Sequence, residues 1–284
     1  MTEHGPGLTA METAPVALDR STPPADEVGR HEGVFAERAR TTQERRLEEV
    51  QTESTQIASL LNTSGLQTHD TELSDDLIER VARQTLDELG SNVKLFEVTL
   101  PHGSQVLAPP YDTAWSSGSG NIGQAESHGI FEVSTKTESS GAAVGFYISV
   151  TEPSDVQITP LGTYTWIMRA LQHPSPSVSR GGLNIMVQVN GNPVFERHTT
   201  LWNVNGSNLD SPAIGHGEIA WAHTPVSGVW PVYLAPVIIR MDPGQRHLVW
   251  LWAWSQTAQI HGISGAMGVS LPMVKVDSAP PIVL

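Results

Sequence analysis

The chain has 284 residues, a net charge of −14 at pH 7 and no cysteine. This length allows one large domain with an appendage, or two domains. The lack of cysteine excludes disulfides, thiolate metal sites and cysteine nucleophiles. The acidity argues against nucleic-acid binding, which relies on basic side chains to neutralise phosphates.

The charge and the tryptophans are unevenly distributed. Residues 1–90 carry 18 acidic and 8 basic side chains, and residues 91–284 carry 12 acidic and 8 basic ones, so the two parts have net charges of −10 and −4. All eight tryptophans lie from Trp115 onward. No uncharged apolar run approaches the roughly 20 residues that cross a membrane, and no signal-peptide pattern is present. We therefore expect a division near residue 90 and no membrane span.

Residues 1–32 are rich in Pro, Gly, Thr, Ala and acidic residues and poor in large apolar ones. Such a composition buries too little surface to offset the entropy lost on ordering, so it predicts a flexible N-terminal arm. We expect residues 1–30 to be dispensable for folding but needed for attachment to a larger assembly.

Residues 33–90 form a predicted helical segment with two helices, one over about 34–62 and one over about 74–90. Glu, Arg, Gln, Ala and Leu dominate the first of them, and these residues favour helix. The second begins with the capping and acidic residues Ser74, Asp75 and Asp76 and ends at Gly90.

A heptad-like stripe marks the first predicted helix, with Arg45 and Arg46 expected on its outer surface. The stripe follows 3-4-3-4 spacing, which gives either an oligomer seam of a short coiled coil or a face that packs on the chain's own domain. Its members are Leu47, Val50, Ser54, Ile57 and Leu61.

Alternating apolar and polar residues dominate the remainder, residues 91–276, before an apolar, Pro-bearing tail over 277–284. The fold class predicted is mainly β, an antiparallel, jelly-roll-like β-sandwich of about 8–10 strands, because short strands follow one another without helices between them. The predicted strands are 93–100, 129–137, 143–151, 163–171, 183–189, 194–201, 217–223, 236–241, 247–255 and 266–276.

The organising stretch is 235–276, where an Asp242-Pro243-Gly244 turn separates two apolar runs and a third run follows. This pattern predicts three consecutive antiparallel strands. The middle strand carries Trp250, Trp252 and Trp254 on one face and further apolar residues on the other, which predicts a central strand.

The strand over 183–189 is followed at once by Asn190-Gly191, the strongest short hairpin signal because both turn positions need a positive φ. Strand alternation also predicts the core residues. They are Phe146, Ile148, Trp166, Ile185, Val187, Ile239 and Leu251.

No motif predicts catalysis, and we expect neither an enzyme nor a cofactor. His216 and Glu218 share a strand face near His223, but this pattern lacks the further ligands of known zinc motifs, so we expect no metal site. The nucleophile pattern Gly-x-Ser-x-Gly and a phosphate-binding Gly-rich loop are both missing. Carboxylates such as Glu196 have no evident catalytic partner.

Two long polar loops, 108–128 and 203–216, are the expected places for ligand or partner contact, because long loops in compact domains usually serve a function. Aromatic and amide side chains in or beside them suit stacking on a sugar or anchoring an interface. The candidate contact residues are Tyr111, Asp112, Trp115, Trp202, Asn203 and Asn205.

The order of flexible arm, helical segment and charge-poor sandwich over residues 34–276 resembles phage and viral fibre, spike and decoration proteins, and the strand pattern is similar to the trimeric heads of tumour necrosis factor-like jelly rolls. The resemblance implies a virion protein that forms a homo-oligomer, with a trimer favoured, contacts other structural proteins and needs no cofactor. An extracellular lectin-like sandwich that binds a glycan is the alternative, and a pore-forming or host-directed toxin is the third class.

Overall fold

The computed structural model describes residues 18–19, 23–64, 105–118, 130–134, 138–170, 176–205, 213–219, 237–258 and 263–279. Within these ranges, two antiparallel sheets pack as a sandwich and one long helix lies near the N-terminus. This confirms the predicted fold class, a mainly β antiparallel sandwich. In the same ranges, no helix is both long and apolar enough to cross a membrane.

The described elements in chain order are β1 (Leu18–Asp19), α1 (Ala25–Thr63), β2 (Gln105–Leu107), β3 (Thr113–Ser117), β4 (Ile130–Ser134), β5 (Ser139–Val150), β6 (Ser154–Ala170), β7 (Val178–Val189), β8 (Asn192–Asn205), β9 (Ala213–Ile219), β10 (Val237–Met241), β11 (His247–Ala258) and β12 (Ile263–Ala279). The first sheet has the order β5-β11-β7-β8, with β1 and β3 side by side along the outer edge of β5. We call it the helix-side sheet, because α1 packs on it. The second, or outer, sheet pairs β6 with β12, flanked by β9 and β10 on one edge and by β2 and β4 on the other.

Strand β11 confirms the prediction of a central strand with two apolar faces. Val249 and Leu251 point into the core between the two sheets, where Phe146 and Ile185 are also fully buried. Trp250 and its neighbours on the opposite face pack beneath α1. The predicted core residues all lie in or against the core between the sheets, with Trp166 and Ile239 partly buried at its margin.

The stretch around β11 differs from the prediction in one respect. Its three apolar runs are strands, but β10 and β12 belong to the outer sheet and β11 belongs to the helix-side sheet. The turn at Gly244, which has a φ of 81°, therefore carries the chain across the sandwich. Both arrangements bury the same alternating apolar residues, so the sequence pattern does not distinguish a hairpin from a crossing.

The predicted hairpin at Asn190-Gly191 is confirmed. The two residues have φ values of 51° and 82°, and the ladder between β7 and β8 closes at the pair Val189 and Asn192. Glycine takes the second of these positive φ values without steric cost.

Helix α1 begins earlier than predicted, at Ala25 rather than near residue 33 or 34, and ends at Thr63, close to the predicted end. Pro24 occupies the N-cap position, and Asp26 and Glu27 supply negative charge in the first turn, where the helix dipole favours it. Gly29 and Gly33 lie inside the helix. The buried face of the helix outweighs their weak helix propensity.

The predicted arm over residues 1–32 is therefore wrong at its C-terminal end. Leu18 and Asp19 pair with Val150 and Ser149 at the edge of the helix-side sheet, and residues 25–32 are helical. Strand β12 also runs to Ala279, past the predicted end of the sandwich at 276. The predicted helix over 74–90 and the predicted strand over 93–100 lie outside the described residues.

Candidate functional site

The face of the helix-side sheet beneath α1 is shaped by large residues opposite small ones. Trp250, Trp252 and Trp254 of β11 lie opposite Gly145, Ala143 and Gly141 of β5 in the strand register. A Cβ added at Gly141 would lie 2.8 Å from Trp252 Nε1, closer than real contacts allow. The small residues on β5 therefore make room for the indoles.

Amide side chains on β7 orient two of these indoles. Trp250 Nε1 donates to Gln188 Oε1 at 3.2 Å, and Trp254 Nε1 donates to Asn184 Oδ1 at 3.0 Å. Phe35 of α1 then stacks on Trp250, with ring centroids 4.0 Å apart and planes 16° apart. The helix is thus fixed over β11 by aromatic packing.

Beside this aromatic layer, a polar strip joins α1 to the edge strand β8. Arg38 Nη2 pairs with Glu196 Oε2 at 3.1 Å, and Arg46 Nη2 lies 2.7 Å from His198 Nδ1. Because a guanidinium group only donates, Nδ1 must accept, which leaves the proton of neutral His198 on Nε2. That nitrogen faces Glu196 Oε1 at 3.2 Å. Burial, and then the positive charge of Arg46, lower the pKa of His198.

At the end of the strip, a half-open cleft of about 260 Å³ lies between α1 and the helix-side sheet. Helix α1 and three neighbouring strands form its walls. The lining residues are Arg46 and Glu49 of α1, Arg180 of β7, Thr200 and Asn203 of β8, and Trp254 and Gln256 of β11.

The strand register shows how the lining residues lie relative to one another. Gln256, Arg180 and Asn203 form one row across the three strands, and Trp254 and Thr200 flank Gly182 in the next row. A Cβ at Gly182 would collide with the carbonyl oxygen of Thr199, so only glycine fits. Gly182 therefore adds no side chain between Trp254 and Thr200.

Arg46 is the unusual residue of the cleft. The residue is 9% exposed, and its guanidinium carbon lies 3.8 Å from the centroid of the Trp254 ring, within cation–π range. Its Nη1 is buried and has no hydrogen-bond partner. Burial, with a smaller contribution from Arg45, lowers the pKa of Arg46 to about 10, so the group stays charged at neutral pH.

The second arginine is already paired. Arg180 forms an ion pair with Glu53, approaches Glu49 at 3.8 Å and donates through Nε to Asn203 Oδ1 at 2.8 Å. Among the described residues, Arg180 therefore has carboxylate partners within 4 Å, whereas Arg46 forms no ion pair and is influenced by Glu49 and Glu196 at longer range.

Gln256 offers the opposite kind of unpaired group. Its Nε2 donates to the backbone carbonyl of Gln43 at 2.6 Å, which fixes the orientation of the amide, because the reverse orientation would place two oxygens together. Its Oε1 is buried without a partner. Arg46 and Gln256 thus each bury one unpaired polar atom next to the cleft.

Most of the predicted contact residues have structural roles elsewhere. Tyr111 is buried against Phe146, with ring centroids 5.9 Å apart, and Asp112 Oδ2 accepts a hydrogen bond from Tyr147 N at 2.7 Å. Trp115 lies in β3, inside the predicted loop over 108–128, and its ring meets that of Phe35 edge to face. Each of these three residues thus makes a contact within the fold.

The other predicted contact residues lie near the end of β8, which extends into the second predicted loop. Trp202 is 3% exposed, belongs to the core between the sheets and donates to Ser179 Oγ at 3.3 Å. Asn205 pairs with Val178 in the ladder. Asn203 is the one predicted contact residue that lines the cleft.

The predicted oligomer seam packs on the protein's own helix-side sheet, the alternative that the sequence left open. Val50 is fully buried against Val178 and Ala258, and Leu47 and Ile57 pack on the same cluster. Ser54 and Leu61 are also buried, at 2% and 8% exposure. The stripe therefore holds the helix in place.

The residues considered for a metal site are only partly described. The backbone of β9 places Glu218 opposite Thr163 and His216 opposite Thr165, and His223 lies outside the described residues. Among the side chains that the structure describes, no three His, Asp or Glu groups are close enough to hold a metal ion.

Sequence reasoning missed the two unpaired groups of the cleft. Arg46 was expected on the outer surface of its helix, yet it is buried. Gln256 lies one residue past the predicted end of the central strand. One sequence signal near the cleft could have been used, the pair Gly181-Gly182, because glycine inside a strand often marks a bulge. The register between β7 and β8 does shift between these two residues.

Comparisons with known proteins do not name a family for this chain. No protein-family model matches its sequence, and no curated protein does so either.

Proposed function

We propose that this chain is a non-enzymatic structural or interaction protein, a fibre, spike or decoration component of a phage or other virion. The observation that supports this is the aromatic attachment of α1 to the sandwich. Phe35 stacks on Trp250 and meets Trp252 and Trp115 edge to face. The aromatic contacts therefore hold the N-terminal helix and the sandwich together as one body. A structural protein that is attached through its N-terminal part and contacts a partner through its sandwich requires such a connection.

The same proposal includes a homo-oligomer, with a trimer favoured. Because the stripe around Val50 packs inside the protomer, the contact between protomers must use another surface. The outer sheet carries two exposed large apolar side chains, Ile238 at 65% and Val106 at 37% exposure. We assign the contact to this sheet.

Light scattering on the purified chain tests the oligomer. We expect about three times the 30.7 kDa of one chain, and Ile238→Lys should lower that mass, because a charge in an apolar contact is costly to desolvate. Val194→Lys, at another exposed position on β8, is the matched control and should leave the mass unchanged. A wild-type mass of one chain would contradict the oligomer.

Mass spectrometry of purified virus particles tests the setting. An antibody raised against the recombinant chain should also label intact particles. If particles that carry the gene lack the protein, the virion proposal is wrong, whatever the oligomeric state.

The cleft under α1 favours a second candidate, a glycan-binding sandwich, because the hydroxyl of Thr200 and the amide of Asn203 are exposed along it. The aromatic residues first expected to stack on a sugar do not support it, since Tyr111 and Trp202 are buried. A glycan array distinguishes this candidate from a purely structural protein, and dye release from liposomes tests the third class, a membrane-inserting toxin.

A further inference from the structure

The N-terminal turns of α1, residues 25–33, bury little of their surface. His31 is the one buried residue among them, and Val28 packs partly buried against the aromatic layer. Farther along the helix, Phe35 stacks on Trp250 and Val50 is fully buried. Segments with few buried apolar contacts open at a lower free energy than the rest of a fold. The N-terminal turns are therefore held less firmly than the middle of the helix.

Two glycines weaken the same turns. Nothing lies within 4 Å of a Cβ added at Gly29 or Gly33, so packing does not require glycine at either position. Compared with alanine, a glycine inside a helix favours unwinding about fourfold to fivefold. Because Gly33 lies between His31 and Phe35, it is the natural end point of an unwinding that starts at the N-terminus of the helix.

Polar contacts hold the N-terminal turns on the sandwich. Glu27 forms an ion pair with Arg246 at 2.9 Å, and Glu32 accepts a hydrogen bond from Thr113 Oγ1. The side chains of Glu27 and Arg246 are 21% and 30% exposed, so water screens this pair and its contribution is modest. The protonation state of the buried His31 therefore has a large influence on whether these turns stay closed.

The surroundings of His31 suit a neutral imidazole and not an imidazolium. The residue is 1% exposed, its Nδ1 lies 3.3 Å from Tyr147 Oη, and its Nε2 is buried without a hydrogen-bond partner. A Cβ added at Gly191 would lie 3.5 Å from His31 Cδ2, so the hairpin turn packs against the ring. An imidazolium donates from both nitrogens, and protonation would bury a charged N–H with no acceptor, which is costly.

The neighbouring charges do not remove this cost. Those around the imidazole and its Tyr147 partner come from Glu27, Arg30 and Glu32 of α1, Asp112 just before β3, and Arg246 just before β11. Burial has the largest effect and lowers the pKa of His31 below 6.5, Glu27 raises it and Arg30 lowers it further. Burial also raises the pKa of Tyr147 to about 12, so its phenol is neutral, and the turn at Asn190-Gly191 brings no titratable group.

We propose that the N-terminal turns of α1 form an acid-sensitive switch, in which protonation of His31 unwinds residues 25–33 from the sandwich while the helix from Phe35 onward stays in place. The unwound segment exposes the imidazole to water, where it takes up a proton near pH 6.5. The open form therefore binds more protons than the closed form below about pH 6.5, and opening increases there by up to about tenfold per pH unit. The switch depends on the fold alone and does not require a virion or an oligomer.

Hydrogen exchange of the full chain tests this, read at the amides of residues 29–33 and corrected for the intrinsic pH dependence of exchange. Between about pH 7.5 and about pH 5.5, protection of these amides should fall about threefold to tenfold. Amides in residues 40–60 should stay at least about tenfold better protected at the acidic pH, because they open only with the sandwich. The fall should begin near pH 6.5, whereas protonation of Glu27 or Glu32 would give an onset closer to about pH 4.3.

His31→Gln should abolish the fall in protection between the two pH values, because glutamine does not titrate. His198→Gln is the matched control, since it removes a histidine that faces Arg46 and Glu196 instead of the N-terminal turns. The fall in His198→Gln should stay within about twofold of the wild-type fall.

Gly33→Ala tests the unwinding without changing His31. It should raise the protection of amides 29–33 about fourfold to fivefold at both pH values, because alanine favours the helix, and it should keep the wild-type pH dependence. The proposal is overturned if wild-type protection does not fall below pH 6.5, if folded His31→Gln shows the wild-type fall, if residues 40–60 lose protection to the same level, or if Gly33→Ala leaves protection unchanged. A working switch in a chain that is missing from virus particles would contradict the proposed function alone.

Discussion

Single glycines on β5 determine whether the aromatic layer beneath α1 can form. A Cβ added at Gly145 would lie 2.7 Å from Thr113 Cγ2 and 3.0 Å from Trp250 Cε3, and both distances are shorter than ordinary van der Waals contact. Glycine is required here to leave space for a neighbouring indole, since its φ lies outside the positive range.

Gly145→Ala should therefore lower the free energy of unfolding by about 1–3 kcal/mol through overpacking. Gly33→Ala is the matched control, because nothing lies within 4 Å of its added Cβ and alanine favours the helix by about 0.8–1.0 kcal/mol over glycine. Urea denaturation of the three proteins measures both effects. Equal stability of Gly145→Ala and wild type would show that the indoles can move aside.

Phe35 is the corresponding residue on the helix, fully buried between Trp250 and the other indoles. Phe35→Ala should cost about 3–5 kcal/mol, because it removes a large buried side chain and leaves a cavity. Leu60→Ala on the same helix is the control, since Leu60 is 68% exposed and should change stability by less than about 0.5 kcal/mol. Similar losses for both variants would contradict the packing described for α1.

At the scale of elements, α1 and β1 tie the N-terminal part of the chain to the sandwich. Glu27 in the first turn of α1 forms an ion pair with Arg246 at 2.9 Å, just before the central strand β11. His31 and Phe35 follow on the same buried face of the helix. The start of the helix is thus anchored next to the start of β11.

Truncation tests this anchoring directly. Deletion of residues 1–30 should lower the melting temperature by several degrees, because it removes β1, the first helical turns and the Glu27–Arg246 pair. Deletion of residues 1–17 leaves those elements intact and, from its disorder-like composition, should change the melting temperature little. An unchanged melting temperature after the longer deletion would restore the sequence-based expectation that residues 1–30 are dispensable.

Protonation of three histidines should lower the free energy of unfolding of the protein. Burial is the main cause that lowers the pKa of His31, His198 and His247 below 6.5. The unfolded chain therefore binds more protons than the folded one once the pH falls below about 6.5, and stability falls with pH in that range. Above it, the contribution of these groups is fully present.

Urea midpoints at about pH 7.5 and about pH 5.5 measure this change, and the midpoint should be lower at the acidic pH. His198→Gln should reduce the difference, because glutamine keeps an acceptor near Arg46 but does not titrate. A midpoint that rises on acidification would contradict the assignment of these imidazoles as neutral in the folded protein.

At the scale of the whole molecule, the sequence predicted what depends on local periodicity. The alternation through Ile185 and Val187, the Asn190-Gly191 turn and the double-faced strand at Trp250 predict the sandwich and its central strand, because each feature reports burial or turn geometry directly. The start of α1 was placed too late because Gly29 and Gly33 weaken helix propensity locally. The burial of Phe35, which stabilises this part of the helix, depends on Trp250, more than 200 residues away along the chain.

The cleft was harder to predict for the same physical reason. Arg46 has the charge of a surface residue, and its burial depends on Trp254 and His198, which the fold brings together from β11 and β8. Sequence spacing within one helix contains none of this information. Tyr111 and Trp202 illustrate the reverse case, in which loop-like surroundings suggested exposure and tertiary packing produced burial.

Strand β11 belongs to two cores at once, and this affects how the protein would respond to mechanical force. A pull on α1 would reach the sheet through Phe35 and the indoles, at the middle of the strand order. The load would then be shared as shear by the ladders that β11 forms with β5 on one side and with β7 on the other. Hydrogen bonds loaded in parallel must break together, whereas an edge strand can be peeled away pair by pair. A tether attached at the helix would therefore hold far more force than one attached at β8.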